Sequence, residues 1–192
     1  MNRGVLACVV LGVMGGVSGC TYEKEVAANP FFSGIEGAKL PPVPRENLGR
    51  GADPTALPLD QQRIENEDGT ITLQARSPRH LMRHIYETLH NGEQDLFMEQ
   101  VLSKATVQEF IDHDTPPEQA YTMLQDHLED IDKLFARMPM AQNTPNATLE
   151  TIGPGMHRLK LVQGVGRDLL WQGFDMIYED GNERLLWFYQ QR

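Results

Sequence analysis

The residues able to do chemistry in this chain are its histidines, its carboxylates and two cysteines. His80 and His84 stand four apart and Glu87 follows three later, so a helix would project all three from one side. Zinc sites use two histidines at that separation. Here Leu81 occupies the place of the glutamate that follows the first histidine of such motifs, and Arg83 on the same side would repel a cation. The group therefore reads as a solvated polar face opposite Leu81 and Ile85. Asp112-His113-Asp114 could form an acid–base pair, but it lies immediately before Thr115-Pro116 and reads as a helix end and turn. His127 and Asp130, three apart, read as surface residues. His157 sits in strand-like sequence near Trp171, Phe174, Tyr178, Trp187 and Tyr189. These six would line a pocket on a sheet, suited to a small lipid-like or aromatic ligand. With Asp175 as an acidic neighbour, His157 could instead serve as the base of a small hydrolase or isomerase.

The cysteines point elsewhere. Arg3 and the amino terminus precede an apolar run from Gly4 to Val17, shorter than the roughly 20 residues of a membrane-spanning helix. Such a run reads as the apolar part of an export signal. It ends in Val17-Ser18-Gly19-Cys20, which resembles the lipobox of bacterial lipoproteins: an aliphatic residue, two small ones and a cysteine. The resemblance implies cleavage between Gly19 and Cys20, a diacylglyceryl thioether on Cys20 and an acylated amino end. Two or three chains make a lasting anchor where one is marginal. Thr21, in place of the aspartate that retains such proteins in the inner membrane, implies the outer membrane, on its periplasmic face. Cys8 would leave with the signal, so the mature chain would hold no thiol for catalysis, metal binding or a disulfide.

The charge agrees with a membrane attachment made by lipid. With 17 basic against 27 acidic side chains the formal net charge is -10. Nucleic-acid binding needs the opposite sign. Acidic protein is not drawn to anionic lipid either. No cofactor or metal is expected. The partners expected are the membrane, reached through the acyl and diacylglyceryl chains, and an envelope protein or small apolar ligand.

Three regions follow: residues 1–19 as the signal peptide, 20–68 as the lipidated cysteine and a tether, 69–192 as a globular domain. The tether reading rests on Pro30, Pro41, Pro42, Pro44, Pro54 and Pro58 and the absence of sustained periodicity. Within it Asn29-Pro30-Phe31-Phe32 stands out, as a contact with the domain or membrane surface or as a docking peptide.

The domain must position the histidines and aromatics. Asp68-Gly69 reads as a turn at its start, followed by a short lead-in strand over Thr70–Leu73. Ser77 as N-cap and Pro78 at the first helical position start a helix that Asn91-Gly92 ends. A second helix is expected over Glu93–Leu102. Thr106-Val107-Gln108-Glu109 reads as a capping box opening a third, with Val107, Phe110 and Ile111 inward. A long helix is expected from Thr115-Pro116-Pro117-Glu118 to Met138, with Ala120, Tyr121, Leu124, Leu128, Ile131, Phe135 and Met138 on one face. Beyond it, residues 148–152, 156–162, 170–179 and 183–189 read as a four-stranded antiparallel meander, with Asp180-Gly181 a hairpin turn. Leu185 to Tyr189 are apolar on both faces, so the last strand should be covered. The class is α+β, about four helices packed on one face of the sheet.

That order of elements over Ser77–Tyr189, behind a lipobox, resembles the small cone-shaped domains of the nuclear transport factor 2-like superfamily. The whole chain also resembles an uncharacterised group of bacterial lipoproteins. The superfamily includes enzymes, ligand binders and protein-binding modules, so the resemblance implies a fold and leaves the activity open. Three functions remain in view: a non-enzymatic binding or interaction module, a small enzyme working in the sheet cavity, and a passive spacer.

Overall fold

The structure is a computed structural model that describes residues 57–190. The lipobox with Gly19 and Cys20, the signal peptide and Phe31-Phe32 lie outside the described residues. The architecture is α+β, with helices preceding a four-stranded antiparallel sheet.

A short helix α1 (Leu59–Gln62) leads into a two-stranded hairpin of β1 (Arg63–Glu65) and β2 (Ile71–Leu73). Described secondary structure thus starts at Leu59, ten residues before Gly69. The signal that proline-rich composition hides is supplied by distant residues. The Gln100 side chain accepts from the Leu73 N–H at 2.8 Å and donates to the Ile71 carbonyl at 2.7 Å, acting as a one-residue strand beside β2. Arg63 grips Glu93 with two hydrogen bonds, at 3.0 and 2.6 Å.

Helix α2 (Pro78–His90) starts at Ser77, whose hydroxyl accepts from the His80 N–H, and ends where Gly92 takes φ +71°. Leu81, Met82, Ile85 and Leu89 are fully buried. The expected second helix is instead one turn, α3 (Gln94–Leu96), continued by a π-helical turn at Phe97–Val101. The wider turn sends Phe97 and Val101 into the core. It also leaves Leu102 extended, so that it bridges Leu185 of the last strand in parallel.

Helix α4 (Lys104–Asp112) is capped three residues earlier than the Thr106 capping box suggests. Ser103 Oγ accepts from the Thr106 N–H at 3.1 Å, and the Thr106 hydroxyl donates to the Leu186 carbonyl at 2.7 Å. This frame turns Ile111 out to solvent, against expectation, while Val107 and Phe110 pack on the core rim. The long helix is two, α5 (Glu118–Asp126) and α6 (Leu128–Arg137), broken where His127 leaves helical geometry at φ -115°, ψ 24°. Its predicted inward residues still face one core, Leu128 only partly buried against it.

The sheet comprises β3 (Ala147–Gly153), β4 (Met156–Leu161), β5 (Gly173–Glu179) and β6 (Asn182–Tyr189), in that order. Asp180 at φ 50° and Gly181 at φ 82° make the β5–β6 turn, both in the left-handed region that such hairpins require. Strand β5 starts at Gly173, later than the expected Leu170. A Cβ on Gly173 would lie 2.2 Å from the Leu159 carbonyl oxygen, so only glycine lets β4 approach.

Leu159, Phe174, Met176, Leu185 and Phe188 are buried in one core with Ile131, Leu134 and Phe135 of α6, the Phe135 ring 6.2 Å from Phe174 and 6.3 Å from Phe188. Each such side chain contributes about 1.5–3 kcal/mol by leaving water. The free margin of β6 is covered as expected: Ser103 N–H donates to the Leu185 carbonyl, Glu183 N–H to the Ala75 carbonyl, and Ala75 N–H to Asn182 Oδ1.

Candidate functional site

The histidine face of α2 does not meet water. His80 and His84 are 5% and 1% exposed, a correction to the solvated face expected from the spacing. Side chains of a helix lean toward its N-terminus. There residues 74–76 fold back over them. His80 Nδ1 accepts from the Arg76 N–H at 3.3 Å, and His84 Nε2 meets the Gln74 carbonyl at 3.0 Å. A carbonyl only accepts, so Nε2 carries the proton. Nδ1 of His84 is buried without a hydrogen-bond partner. Desolvation lowers the His84 pKa to about 4; the Gln74 bond opposes the shift, and the positive charges of Arg83, His80 and Arg63 add to it. Glu87 is held at 2.9 Å by Arg83. Among the described residues no three side chains are grouped to hold a metal ion.

His113 sits at the C-cap of α4, its N–H bonded to the Glu109 carbonyl at 3.2 Å, and Asp114 follows at φ 53°. The Asp112–Asp114 stretch is thus the expected helix end and turn.

The six expected pocket residues do not share a cavity. Period-two alternation divides them between the faces of the sheet. His157 pairs with Met176, and Phe174 pairs with Leu159 and Phe188 on the helix-covered face. Phe174 is a fully buried core ring, 6.2 Å from Phe135. Tyr178, 54% exposed, lies at the far end of its strand. Trp187 and Tyr189 are in register with Asp175 and Gly173.

Arg158 and Asp175, paired across β4 and β5, share two hydrogen bonds at 2.6 and 2.7 Å, and the guanidinium lies 3.9 Å over the Tyr189 ring. Asp175 belongs to Arg158 and faces away from His157, so these two cannot act as an acid–base pair. Burial raises the Glu183 pKa, and the nearby His157 partly opposes that rise.

Two of the six do meet in a cleft, at the end of β6 rather than inside the sheet. Trp171 stacks on Phe188 with centroids 4.7 Å apart, and the His127 ring stands edge-on to Trp171 at 5.4 Å. Met123, Leu124, Leu170, Trp187 and Gln190 complete a cleft of about 280 Å³. The break between α5 and α6 positions it. If the helix ran straight through His127, that ring would not turn toward Trp171. His127 also meets Asp130 at 3.3 Å, as its spacing suggests, but it is part of an aromatic wall and not merely a surface residue. Only the non-helical dihedrals at position 127 could have revealed this, and no residue type nearby announces them.

A wider, mostly polar cleft of about 780 Å³ lies between the β1–β2 hairpin and the turn at α3, bordered by Thr72, Asp95, Glu99 and Gln100. Gln100 is engaged with the backbone of β2, and Glu93 with Arg63. Of the two, the smaller has the character of a recognition site, a mainly apolar recess with two polar side chains, His127 and Gln190, in its lining.

Comparison with models of protein families, with curated proteins and with solved structures finds no match to this chain. Among the described residues no helix is long and apolar enough to cross a membrane.

Proposed function

We propose that this chain is a bacterial envelope lipoprotein held to the membrane, the outer in preference to the inner, by lipid on Cys20. Its α+β domain works as a non-enzymatic binding module on the periplasmic face. The location rests on Val17-Ser18-Gly19-Cys20 behind a short apolar run. The binding role rests on one observation, the cleft that brings Trp171, Trp187 and Phe188 to an opening beside His127. Tryptophans at a recess are the side chains that dominate recognition surfaces, because they offer large area for little lost freedom. The occupant that fits is an aromatic or aliphatic group, from an envelope protein or a small apolar ligand. The enzymatic reading draws no support from His157 and Asp175, which face opposite sides of the sheet.

Two measurements test this. Cys20→Ser should abolish acyl labelling and release the protein from membranes; persistence on the membrane would overturn the anchor. Cross-linking in the intact envelope should recover a partner with the parent chain and not with Met123→Lys, which puts a charge at the cleft rim. Equal recovery, or recovery of the protein alone, would count against a binding module and favour a passive spacer.

A further inference from the structure

We infer that the first occupant of the aromatic cleft is the chain's own Phe31-Phe32, so that the tether folds back on the domain and an outside partner must displace it. The inference rests on the reading that the cleft takes aromatic groups. Its size decides what kind of occupant. At about 280 Å³ it lies below the roughly 300–1,000 Å³ of sites that enclose whole small molecules. It has room for one or two side chains. Half of its lining is rings, those of His127, Trp171, Trp187 and Phe188, which receive other rings in offset or edge-on geometry, and most of the rest is aliphatic.

Between Cys20 and Leu57 the only adjacent aromatic residues are Phe31 and Phe32. Pro30 precedes them and limits the conformations that docking would have to give up. The connection is long enough. Residues 33–56 are about 24 links, and an unstructured connection of that length spans on average roughly 27 Å. A domain the size of residues 57–190 has a radius of gyration of about 14 Å, so its whole surface is within reach. A short covalent link supplies an effective concentration of order millimolar. Contact between two phenylalanines and an open recess, too weak to hold a free peptide at ordinary concentration, is then populated about half the time.

Docking would change the geometry at the membrane. With Phe31-Phe32 seated, only residues 21–30 separate the lipid-bearing cysteine from the domain, and the cleft faces the bilayer. When a partner takes the cleft, the tether is released to its full length. Occupancy of one recess would thus set how far the domain stands from the lipid.

The chain carries its own reporter, because its only two tryptophans, Trp171 and Trp187, both line the cleft. The mature chain with Cys20→Ser, free of lipid, is compared with the same chain carrying Phe31→Ala and Phe32→Ala. Both changes lie outside the folded domain. Acrylamide quenching of tryptophan emission should rise by up to about two-fold in the double variant, carried by the half-buried Trp187 as its open fraction goes from about half to all, since Trp171 is only 7% exposed even with the cleft open. A synthetic peptide of residues 29–34, added at several times the roughly millimolar effective concentration of the tether, should reverse the rise. Met123→Lys in the chain with both phenylalanines should reproduce it. Equal quenching with and without the phenylalanines would overturn the inference. In that event protection of the variant by the peptide leaves the cleft as an aromatic site for another occupant, whereas no protection removes the cleft reading as well. Quenching of the parent that falls as protein concentration rises would assign the cleft to a second copy, and also overturn self-docking.

Discussion

The two faces of the β4–β5–β6 ladder are built from alternate residues of the same strands, and they are held by different physics. On the covered face Leu159, Phe174, Met176 and Phe188 are buried against α6. On the other, Arg158, Asp175 and Tyr189 form a half-buried stack beside the Lys160–Glu150 pair. Volume matters on the first face, because a missing ring leaves a cavity that neighbours cannot fill. On the second, water competes for each charge and salt screens it. Stability is therefore concentrated on one side of a sheet whose hydrogen bonds serve both.

Four perturbations sharpen or break this contrast. Phe174→Ala should cost about 3–5 kcal/mol, seen as a lower midpoint in urea unfolding. A loss under 1 kcal/mol would show that the covered face is not closely packed.

Next is acidification. In the unfolded chain the His84 imidazole takes its proton near its ordinary 6.5, whereas in the fold it does so near 4. Between these values the unfolded state binds more protons, so the His84 contribution is whole above about pH 6.5 and is lost as pH falls toward 4, by up to about 3 kcal/mol. Glu183 and Asp132, whose pKa values burial raises, act in the opposite sense and reduce the net slope. Unfolding free energies at pH 7 and pH 5 should therefore differ less in His84→Gln than in the parent. Equal pH dependence would mean that His84 is not buried as neutral imidazole.

Gly173→Ala should cost about 1–3 kcal/mol, because β4 must give way before a Cβ fits; a neutral result in thermal melts would contradict the close approach of β4 and β5. Smallest is Arg158→Ala, with an expected cost of about 1 kcal/mol or less, diminishing in high salt. A cost as large as that of Phe174→Ala would erase the distinction between the faces.

How much of this could be read from the chain depends on whether a signal is local. Ser77-Pro78 and Asn91-Gly92 bound α2 as read, and Asp180-Gly181 turns the last hairpin, because each fixes its own backbone. The start of α4 was obscured because Ser103 and Thr106 are both good caps; what separates them is the Leu186 carbonyl, some 80 positions away, which engages the Thr106 hydroxyl. Of the β1–β2 hairpin, the turn at Asp68-Gly69 and the strand at Thr70–Leu73 were legible, whereas β1 was not, since Arg63 is held by the distant Glu93 and the amide that borders β2 belongs to Gln100. Burial of His80 and His84 depends on backbone groups of residues 74–76, which helical periodicity does not encode. The cleft was half legible. Trp171 and Trp187 were among the expected pocket residues, but the kink that brings His127 to them carries no proline or glycine to mark it.

The unequal margins of the sheet have a consequence for assembly. The β6 side is sealed by Ala75, Leu102 and Ser103, while β3 is the terminal strand on the other side, with Leu149 and Ile152 exposed. Among the described residues the four-stranded sheet therefore offers one backbone edge, that of β3. Edge-to-edge joining of folded copies stops at a closed pair, and a continuous fibre of stacked sheets requires the seal at Ser103 to open first.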